Sequence, residues 1–461
     1  MRRAKSSTRW DGSLSPALCA LDSALATTQV APYRRWILLP LFMNKNWIFS
    51  VLSTWVLFSA AQAQVAYEFV PNFLTPPPGR ETIGDGHGEI QVDSAGRIYV
   101  SVNGQAEGGI QVYSADGKYV RHLPLPPSLH GFTIRKQADG EFIFAAVNGQ
   151  QKVLKSTLDG QVVLEIPKTS FPASIADRVS VLLKSGKTLS GHTPVTEGED
   201  LSMTLESGEV VKVSRADIAQ KLTVTLASGR KAEGVFVEQT DTELKFIEGG
   251  KLQTVAKSEI SLKDGKPMMA VGSSELRQGL KLTSADAAPN GDIYVADGYG
   301  TSWIFVFDKN GNFKKQFGGP VEPFKLSQCH KVHVDTRFEP ARLFLCDRGN
   351  NRILHASLEG EMLDVIADQD LRRPSSASFH GDLACVAEIA GRVTVWDKSG
   401  KLVVELGRND TKGQSNTPAV QPSDWRDNVV TSPHGITFDG NGNILETEWN
   451  RFGRVLRWNR K

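Results

Sequence analysis

Short apolar runs separated by polar turns recur along most of the chain. In each copy an apolar strand leads through a polar turn to a second apolar strand, and then to a third strand and a turn of the Asp-Gly-Lys kind. The first turn recurs at Gly96-Arg97-Ile98, Gly140-Glu141-Phe142, Gly291-Asp292-Ile293, Gly381-Asp382-Leu383 and Gly442-Asn443-Ile444, with Ala341-Arg342-Leu343 as a variant. The second turn recurs at Asp116-Gly117, Asp159-Gly160, Asn310-Gly311, Glu359-Gly360 and Ser399-Gly400. Successive copies lie about 40–50 residues apart, which is the length of a four-stranded propeller blade.

Six copies of this pattern fit within the chain. The sixth stops after its third strand, at residues 454–458, and a separate apolar segment at residues 67–73 precedes the first copy. That segment can supply the missing edge strand, which closes a ring and removes an exposed sheet edge. The pattern therefore predicts an all-β protein with the architecture of a six-bladed β-propeller of the NHL-repeat type.

One interval between copies is longer than the others. Gly140 and Gly291 are 151 positions apart, so about a hundred residues are inserted between blades 2 and 3, judged against the blade period. The insert repeats internally, since residues 183–191 match 226–234 and residues 213–218 match 255–260. Its short alternating strands predict two small SH3-like or Sm-like barrels, or one pseudo-symmetric barrel. We assign residues 66–170 to blades 1 and 2 with the closing strand, 175–265 to the inserted small β-barrel-like domain, and 270–461 to blades 3 to 6.

The N-terminal region contains the strongly apolar run of the chain. Residues 43–47 open a short cationic stretch, residues 48–59 are hydrophobic, and Ala61-Gln62-Ala63 has the small residues of a cleavage site. This order is typical of a secretory signal peptide, and its apolar run is short for a membrane span. We assign residues 1–63 to a leader with a signal peptide at 43–63, cleaved near Ala63, and expect an exported, periplasmic or extracellular chain without a membrane span. The alternative is an uncleaved anchor, and one interpretation of residues 1–42 is that they precede the true start codon.

Charge and cysteine content narrow the function classes. Lys and Arg number 53 against 51 Asp and Glu, for a net charge of +2. No basic block with interleaved aromatic residues occurs, which argues against nucleic acid as a partner. Beyond the leader, three cysteines remain, Cys329, Cys346 and Cys385. Because an odd number excludes a full disulfide framework, buried free thiols are the favoured interpretation, although Cys329 and Cys346 can meet across a hairpin.

Three histidines occupy the same place in the repeat, at the start of the innermost strand. His130, His330 and His434 fall in blades 2, 4 and 6, with Thr283 and Ser375 at the equivalent places in blades 3 and 5. Alternate blades of a six-fold ring lie about 120° apart, so the three side chains can converge on the axis. Three imidazoles with one open position are the ligand set of a catalytic zinc, so we predict zinc on these histidines.

Two considerations weigh against a zinc site: a histidine can be purely structural, and most of the other histidines follow no pattern. A lone histidine at the start of a strand is more often structural than ligating. His87 lies one residue out of register in blade 1. No pattern relates the remaining histidines, which are His122, His192, His333, His355 and His380. The insert carries only His192 and no ligand cluster, which favours contact with an envelope protein partner or a spacer role for it.

Polar residues just past the second strands share the face of the histidines, because antiparallel strands bring these ends together. Tyr299 can act as a general base, and Arg348 can bind a substrate carboxylate or polarise a carbonyl. The alternatives are a rim aromatic for Tyr299 and an ion pair with an acid such as Asp297 for Arg348. Asp297 and Asp347 are expected to hold turns.

At these residues the chain resembles a known family. The blade pattern, the three histidines, Val295-Ala296-Asp297-Gly298-Tyr299 and Leu345-Cys346-Asp347-Arg348 resemble peptidyl-α-hydroxyglycine α-amidating lyase. The resemblance covers about residues 66–170 and 270–461. It implies zinc on His130, His330 and His434, Tyr299 as the base and Arg348 as the residue that holds or polarises substrate. The implied reaction acts on a C-terminal hydroxyglycine and releases a peptide amide and glyoxylate.

The chain also departs from that family. An active-site arginine of the family's first blade is replaced by Val102-Asn103-Gly104-Gln105, and Gly435 follows the last histidine where the animal enzymes have an acid. Gly300 stands where those enzymes have a cysteine after the tyrosine, so their disulfides are absent. These changes affect the substrate assignment more than the metal assignment.

Two functions therefore remain in view. The first is a secreted zinc-dependent lyase that takes a small-molecule or peptide C-terminus substrate, with calcium as a further structural ion. The second is a non-catalytic exported NHL-repeat scaffold that binds protein or glycan partners. Residues 408–430, which include Trp425, can cover the site as a lid or form a passive surface loop.

Overall fold

The structure is a computed structural model and describes residues 65–104 and 108–461. The predicted leader, signal peptide and cleavage site fall outside these residues. Within them, no helix combines the length and the apolar composition that a membrane crossing requires. The described chain is all-β, as its pattern predicts, and its strands pair antiparallel.

Nine strands precede the insert. They are β1 (Tyr67–Val70), β2 (Ile90–Val92), β3 (Ile98–Val102), β4 (Gly109–Tyr113), β5 (Tyr119–Leu123), β6 (Leu129–Gln137), β7 (Gly140–Val147), β8 (Lys152–Thr157) and β9 (Val162–Ile166). Strands β2 to β5 form sheet 1 and β6 to β9 form sheet 2, each in sequence order.

The insert follows a short helix and has two sheets with the same strand order. Its elements are α1 (Ala173–Ala176), β10 (Val179–Leu182), β11 (Thr188–Glu197), β12 (Asp200–Leu205), β13 (Val210–Ser214), β14 (Gln220–Thr225), β15 (Lys231–Gln239), β16 (Glu243–Glu248), β17 (Lys251–Ala256), β18 (Leu262–Lys263), β19 (Lys266–Pro267), β20 (Met269–Ser273) and β21 (Leu276–Arg277). The sheets run β13-β12-β11-β10-β21 and β17-β16-β15-β14-β20, and β18 pairs with β19. Each large sheet has its own cluster of buried apolar side chains.

The internal repeat of the insert has a structural counterpart. In both halves the matched segment ends one strand and continues into a 3-10 helix, Arg215–Asp217 in the first half and Lys257–Glu259 in the second. Strands β20 and β21 return to pair with β14 and β10. The inserted sheets therefore extend to Arg277, beyond the boundary at residue 265 that the sequence suggested.

Fifteen strands follow the insert. They are β22 (Ser284–Ala287), β23 (Ile293–Ala296), β24 (Trp303–Phe307), β25 (Phe313–Gly318), β26 (Cys329–Asp335), β27 (Arg342–Asp347), β28 (Arg352–Ser357), β29 (Met362–Ala367), β30 (Pro374–His380), β31 (Leu383–Glu388), β32 (Arg392–Trp396), β33 (Leu402–Leu406), β34 (Pro433–Phe438), β35 (Ile444–Glu448) and β36 (Val455–Arg460). Strands β22 to β25, β26 to β29 and β30 to β33 form sheets 3, 4 and 5. Sheet 6 runs β34-β35-β36-β1, because β1 pairs with β36. Further 3-10 helices lie at Asn148–Gln150, Lys168–Ser170, Arg348–Asn350 and Pro422–Asp424.

The first strands of sheets 1 to 6 contact one another in a closed series. They are β2, β6, β22, β26, β30 and β34, each touching the next, and β34 touches β2. A buried apolar cluster lies between each pair of neighbouring sheets, including the pair formed by sheets 6 and 1. Both faces of a sheet are therefore covered, which explains why second strands such as β3 are buried along their whole length.

The turn at Gly117 and the three cysteines have the local structure that their sequence positions predict. Gly117 has a φ of +82°, and a Cβ there would lie 2.2 Å from the carbonyl oxygen of Phe73, so the turn between β4 and β5 requires glycine. Cys329, Cys346 and Cys385 are buried free thiols. Burial raises the pKa of each thiol, which keeps it protonated and unreactive.

Candidate metal centre

The three in-register histidines occupy the same local structure. His130, His330 and His434 are each the second residue of a first strand, in β6, β26 and β34. In all three strands the pairing register with the second strand shifts at the histidine. A β-bulge re-aims the side chain of the extra residue, so the three imidazoles leave their sheets at equivalent points.

A hydrogen bond to the next sheet orients each of these rings. Nδ1 of His130 lies 2.8 Å from the carbonyl oxygen of Thr283, Nδ1 of His330 lies 2.6 Å from that of Ser375, and Nδ1 of His434 lies 2.8 Å from that of Gly88. Because a carbonyl oxygen only accepts, each Nδ1 carries the proton and each Nε2 keeps a free lone pair. A second partner that fixes the tautomer in this way is the usual support of a metal-binding histidine.

Close approach of neighbouring first strands explains the glycines after two of the histidines. A Cβ on Gly131 would lie 2.1 Å from the carbonyl oxygen of Thr283, and one on Gly435 would lie 2.7 Å from Oε1 of Glu89. Neither position accepts a side chain without a backbone shift. The space beside Gly435, where the animal enzymes of the resembled family carry an acid, is filled by the carboxylate of Glu89 from sheet 1.

The structure brings the rings of four histidines together, but the group whose ligand atoms are close enough for one metal ion contains His87 in place of the predicted His330. The rings of His130, His330 and His434 have centroids 4.7 to 5.0 Å apart, and the ring of His87 lies 4.9 Å from those of both His130 and His434. The ligand atoms of His87, His130 and His434 all lie within 4.8 Å of one another, so these three side chains can hold a metal ion. Nε2 of His434 is buried and has no hydrogen-bond partner.

The sequence pattern does not include His87 among the predicted zinc ligands, because His87 lies one residue out of register. It sits before β2 rather than within it, so the strand pattern does not bring it to the centre. The sequence does contain one signal for a role of His87 at the site. His87-Gly88 is the same dipeptide as His130-Gly131 and His434-Gly435. Trp449 packs beside the same ring, with 5.5 Å between ring centroids.

Burial keeps all four imidazoles neutral. Desolvation, followed by the nearby charge of Arg348, lowers the pKa of His87 to about 4. Burial also holds the pKa values of His130, His330 and His434 well below the usual range. Neutral imidazoles offer lone pairs to a cation, so the electrostatics suit metal binding better than anion binding at this point.

Tyr299 brings its phenol to the same place. Its Oη lies 3.0 Å from Nε2 of His330, 3.2 Å from Nε2 of His130 and 3.4 Å from Nε2 of His87. The backbone N–H of Tyr299 donates to the carbonyl oxygen of Lys281 at 3.2 Å, which holds the loop that follows β23. The phenol is therefore within proton-transfer distance of any group bound among the histidines.

The acidic residues at the ends of the second strands accept hydrogen bonds from backbone N–H groups. The recurring contact is a carboxylate that accepts the N–H of a residue just before the first strand of its own sheet. It joins Asp297 to Lys281, Asp347 to Ser327, Glu388 to Arg372 and Glu448 to Thr431. Asp297 and Asp347 thus hold turns, and the contact fixes the start of the strands that carry the site.

Two arginines lie beside the phenol without a carboxylate partner. Nη1 of Arg348 donates to Oη of Tyr299 at 3.4 Å, and Arg348 is only 5% exposed. Within residues 65–104 and 108–461 it forms no ion pair, and its Nε has no partner. Arg373, whose Nη2 donates to Oε1 of Gln328 at 3.0 Å, also has a buried Nε without a partner.

The sequence gives no reason to predict Arg373 as a site residue, because a single arginine before a strand does not repeat in the other copies. Its backbone has a φ of +60°, an uncommon conformation for a non-glycine residue. Burial, and then the nearby charge of Arg348, lowers the pKa of Arg373. Guanidinium groups without a carboxylate partner can bind an anion, and carboxylate fits their donor geometry.

The lid formed by residues 408–430 and the calcium ion stay predictions. Trp425 lines a cavity of about 250 Å³ with Phe73 and Arg454. Among the described residues, the histidine cluster is the one close group of three or more His, Cys, Asp or Glu ligands. No cluster of acids there corresponds to the expected calcium ion.

Comparison with known proteins gives curated and structural matches. Peptidyl-alpha-hydroxyglycine alpha-amidating lyase 2 of Drosophila melanogaster is 29% identical over 134 residues, which are 26% of this chain and 32% of the relative. The chain thus matches about a third of the length of that relative. A streptogramin B lyase structure has a TM-score of 0.44 and 12% identity, covering 86% of this chain and 98% of the other. A virginiamycin B lyase from Staphylococcus aureus has a TM-score of 0.42 and 13% identity, covering 86% and 99%. No protein-family model matches the chain.

Proposed function

We propose that the chain is a six-bladed β-propeller of the NHL type whose axis carries a zinc-dependent lyase site. Sheets 1 to 6 are the blades, and the closed series of contacts among their first strands supports this assignment. The two sheets between β9 and β22 form an inserted domain. Export through the segment at residues 43–63 completes the proposal, since that segment has the order of a signal peptide.

Zinc is held by His130, His330 and His434. The observation that carries this assignment is the set of three Nδ1–H donations to carbonyl oxygens, which leaves three Nε2 lone pairs, one of them on His434 without any partner. Three neutral imidazoles and an open position are the ligands of a catalytic zinc. His87 stands next to that position, within reach of the phenol of Tyr299.

The reaction cleaves a carbon–nitrogen bond in a substrate that carries a hydroxyl group and a carboxylate. The name of the Drosophila relative describes a lyase of peptidyl-α-hydroxyglycine, which has both groups. Zinc, when bound, lowers the pKa of a coordinated hydroxyl group. For this role Tyr299 must start as a phenolate, which the charge of Arg348 beside it would favour. The phenolate takes the hydroxyl proton and becomes a neutral phenol, while Arg348 and Arg373 hold the carboxylate. The carbonyl of glyoxylate then forms as the bond to the amide nitrogen breaks, and that nitrogen takes up a proton to give the peptide amide.

The test measures metal and product on the same preparation. We expect one equivalent of zinc per chain and release of glyoxylate from an N-acyl-α-hydroxyglycine above the uncatalysed rate. Tyr299→Phe should keep the zinc and lose about 10²- to 10⁴-fold in kcat, the usual contribution of a positioned acid or base. Glyoxylate release by the Phe variant at the wild-type rate would remove Tyr299 from the mechanism.

Arg373 supplies a second prediction. Arg373→Gln should raise KM about tenfold to hundredfold, because a hydrogen bond between charged groups contributes about 1.5–3 kcal/mol. Its matched control is Arg372→Gln, since Arg372 forms an exposed ion pair with Asp410 instead. Steady-state kinetics with a carboxylate substrate and with its methyl ester separate the roles, because the ester should be insensitive to the Arg373 variant. Equal sensitivity of acid and ester would contradict carboxylate binding.

A binding platform is the second candidate function, and the surface of the insert favours it. Nine of the sixteen large apolar side chains that the described residues expose lie on the insert, namely Val195, Val210, Val237, Ile247, Leu252, Leu262, Met268, Val271 and Leu276. Exposed apolar side chains in numbers are typical of contact surfaces. This candidate predicts a chain without bound zinc that retains a protein or glycan partner.

A further inference from the structure

A groove beside the candidate site is lined by residues of the insert and of the loops around sheet 3. Its volume is about 580 Å³, within the range of small-molecule and peptide sites. One wall comes from the start of the insert, at Ile175 and Arg178, and the opposite wall comes from Tyr299 and Trp303. Tyr299 therefore contacts the groove with its ring while its hydroxyl group lies among the histidines.

Arg178 lines this groove and the cavities next to it. Besides the groove, it lines three adjoining cavities of about 410, 260 and 260 Å³. In residues 65–104 and 108–461 its guanidinium forms no ion pair and no hydrogen bond, and the same holds for the exposed carboxylate of Glu206 across the groove. The groove thus offers one unpaired charge of each sign beside the apolar surfaces of Ile175 and Trp303.

The two walls are tied to the same framework. Phe171, just before the insert, packs against Phe305 and Phe307 of sheet 3 with ring centroids 5.1 and 4.9 Å apart. The N–H of Gln278 donates to the carbonyl oxygen of Arg178 at 2.7 Å. Three residues later, Lys281 accepts the N–H of Tyr299. The groove is therefore a preformed feature, and the returning segment of the insert supports the loop that carries Tyr299.

We infer that the insert forms one wall of a substrate channel and binds the part of a peptide that precedes its C-terminal residue. This inference rests on the proposed function, which places the C-terminal residue among the histidines and the two arginines. A peptide bound there continues past Tyr299 into the groove. Its backbone N–H and C=O groups can pair with Glu206 and Arg178, and its side chains can pack on Trp303. A spacer domain would need neither unpaired charge beside Tyr299.

Binding of unreactive peptides tests the channel directly. The probes are N-acetylglycine and N-acetyl peptides of three and five residues that end in glycine, titrated calorimetrically into the zinc-loaded full-length protein. We expect the longer peptides to bind at least about tenfold more tightly than N-acetylglycine, and Arg178→Ala to remove about tenfold from the longer peptides only. Glu206→Ala, an exposed substitution, provides a second variant, and Lys251→Ala in β17, on the other sheet of the insert, is the matched control.

The outcomes distinguish the channel from the lyase itself. Affinity that does not depend on peptide length, or an Arg178→Ala effect that is equal for N-acetylglycine and the pentapeptide, overturns the channel. Glyoxylate release is measured in parallel with the corresponding hydroxyglycine peptides. Length-dependent binding without glyoxylate keeps the channel and removes the lyase, whereas glyoxylate release with length-independent binding keeps the lyase and removes the channel.

Discussion

His434→Ala protein is expected to purify without zinc and without lyase activity, although it folds. His434 belongs to the proposed set with His130 and His330 and also to the close group with His87 and His130, because its ring contacts all three other rings. Loss of an outer partner of a ligand already lowers metal affinity about 10- to 100-fold, and loss of the ligand itself should exceed that. Metal content by mass spectrometry and the zinc affinity in a chelator competition measure the effect.

Variants of His330 and His87 decide whether the metal binds to His130, His330 and His434 or to His87, His130 and His434. His330→Ala should lose zinc as His434→Ala does, whereas His87→Ala should retain it, because the Nδ1 of His87 lacks the carbonyl partner that orients the other three rings. His192→Ala, a histidine of the insert, is the matched control. Retention of zinc by His330→Ala together with its loss from His87→Ala would assign the metal to His87, His130 and His434 instead.

The all-β class was accessible from the sequence because strand and turn signals are local. Apolar runs such as Ile98–Val102 and turns such as Asp116-Gly117 depend on residues a few positions apart. The extension of the inserted sheets to Arg277 was not accessible. Strands β20 and β21 pair with strands about fifty and a hundred residues earlier, and nothing in their own composition indicates which sheet they join.

The same distinction holds for the site. His130, His330 and His434 were found because one place in a repeat was occupied by the same residue type three times. His87 and Arg373 reach the centre from segments that precede a first strand, where the chain path is set by contacts between blades rather than by strand periodicity. Repetition therefore predicted three histidines of the candidate site, whereas His87 and Arg373 could be added only from coordinates.

Those asymmetric residues bear on the chemistry. The chain lacks the arginine that the resembled family places in its first blade, yet the structure brings Arg373 from sheet 5 next to Arg348. A second cation beside Tyr299 is thus present although its position in the sequence differs. Substrate recognition by a propeller depends on which side chains reach the axis, and different blades can supply them.

Beneath the histidines, a buried ion pair crosses from sheet 4 to sheet 1. Nζ of Lys331 lies 2.5 Å from Oε2 of Glu89, and the side chains are 1% and 4% exposed. The carboxylate also accepts hydrogen bonds from Ser376 of sheet 5 and from the N–H of Ile436 in sheet 6. Burial raises the pKa of Glu89, and the charge of Lys331 counteracts that rise. The pair therefore links several sheets directly below the proposed metal.

Lys331→Ala is expected to destabilise the fold by about 3–5 kcal/mol, because it leaves the Glu89 carboxylate buried without a counter-charge. The loss should be larger at pH 8 than at pH 5. Without Lys331 the folded-state pKa of Glu89 rises further above its unfolded value, so the folded variant binds a proton more tightly and loses stability as the pH increases. Scanning calorimetry of the variant and the wild type at both pH values measures this difference.

The double variant Glu89→Gln with Lys331→Met distinguishes charge from packing. It removes both charges while keeping side-chain volume near the axis, and replacement of a whole buried pair is often close to neutral. We expect its stability to lie within about 1–2 kcal/mol of the wild type, well above that of Lys331→Ala, and to fall less between pH 5 and pH 8 than that of Lys331→Ala, because position 89 no longer titrates. If the double variant is as unstable as Lys331→Ala at both pH values, the unpaired charge of Glu89 is not the cause of the loss, and the prediction is wrong.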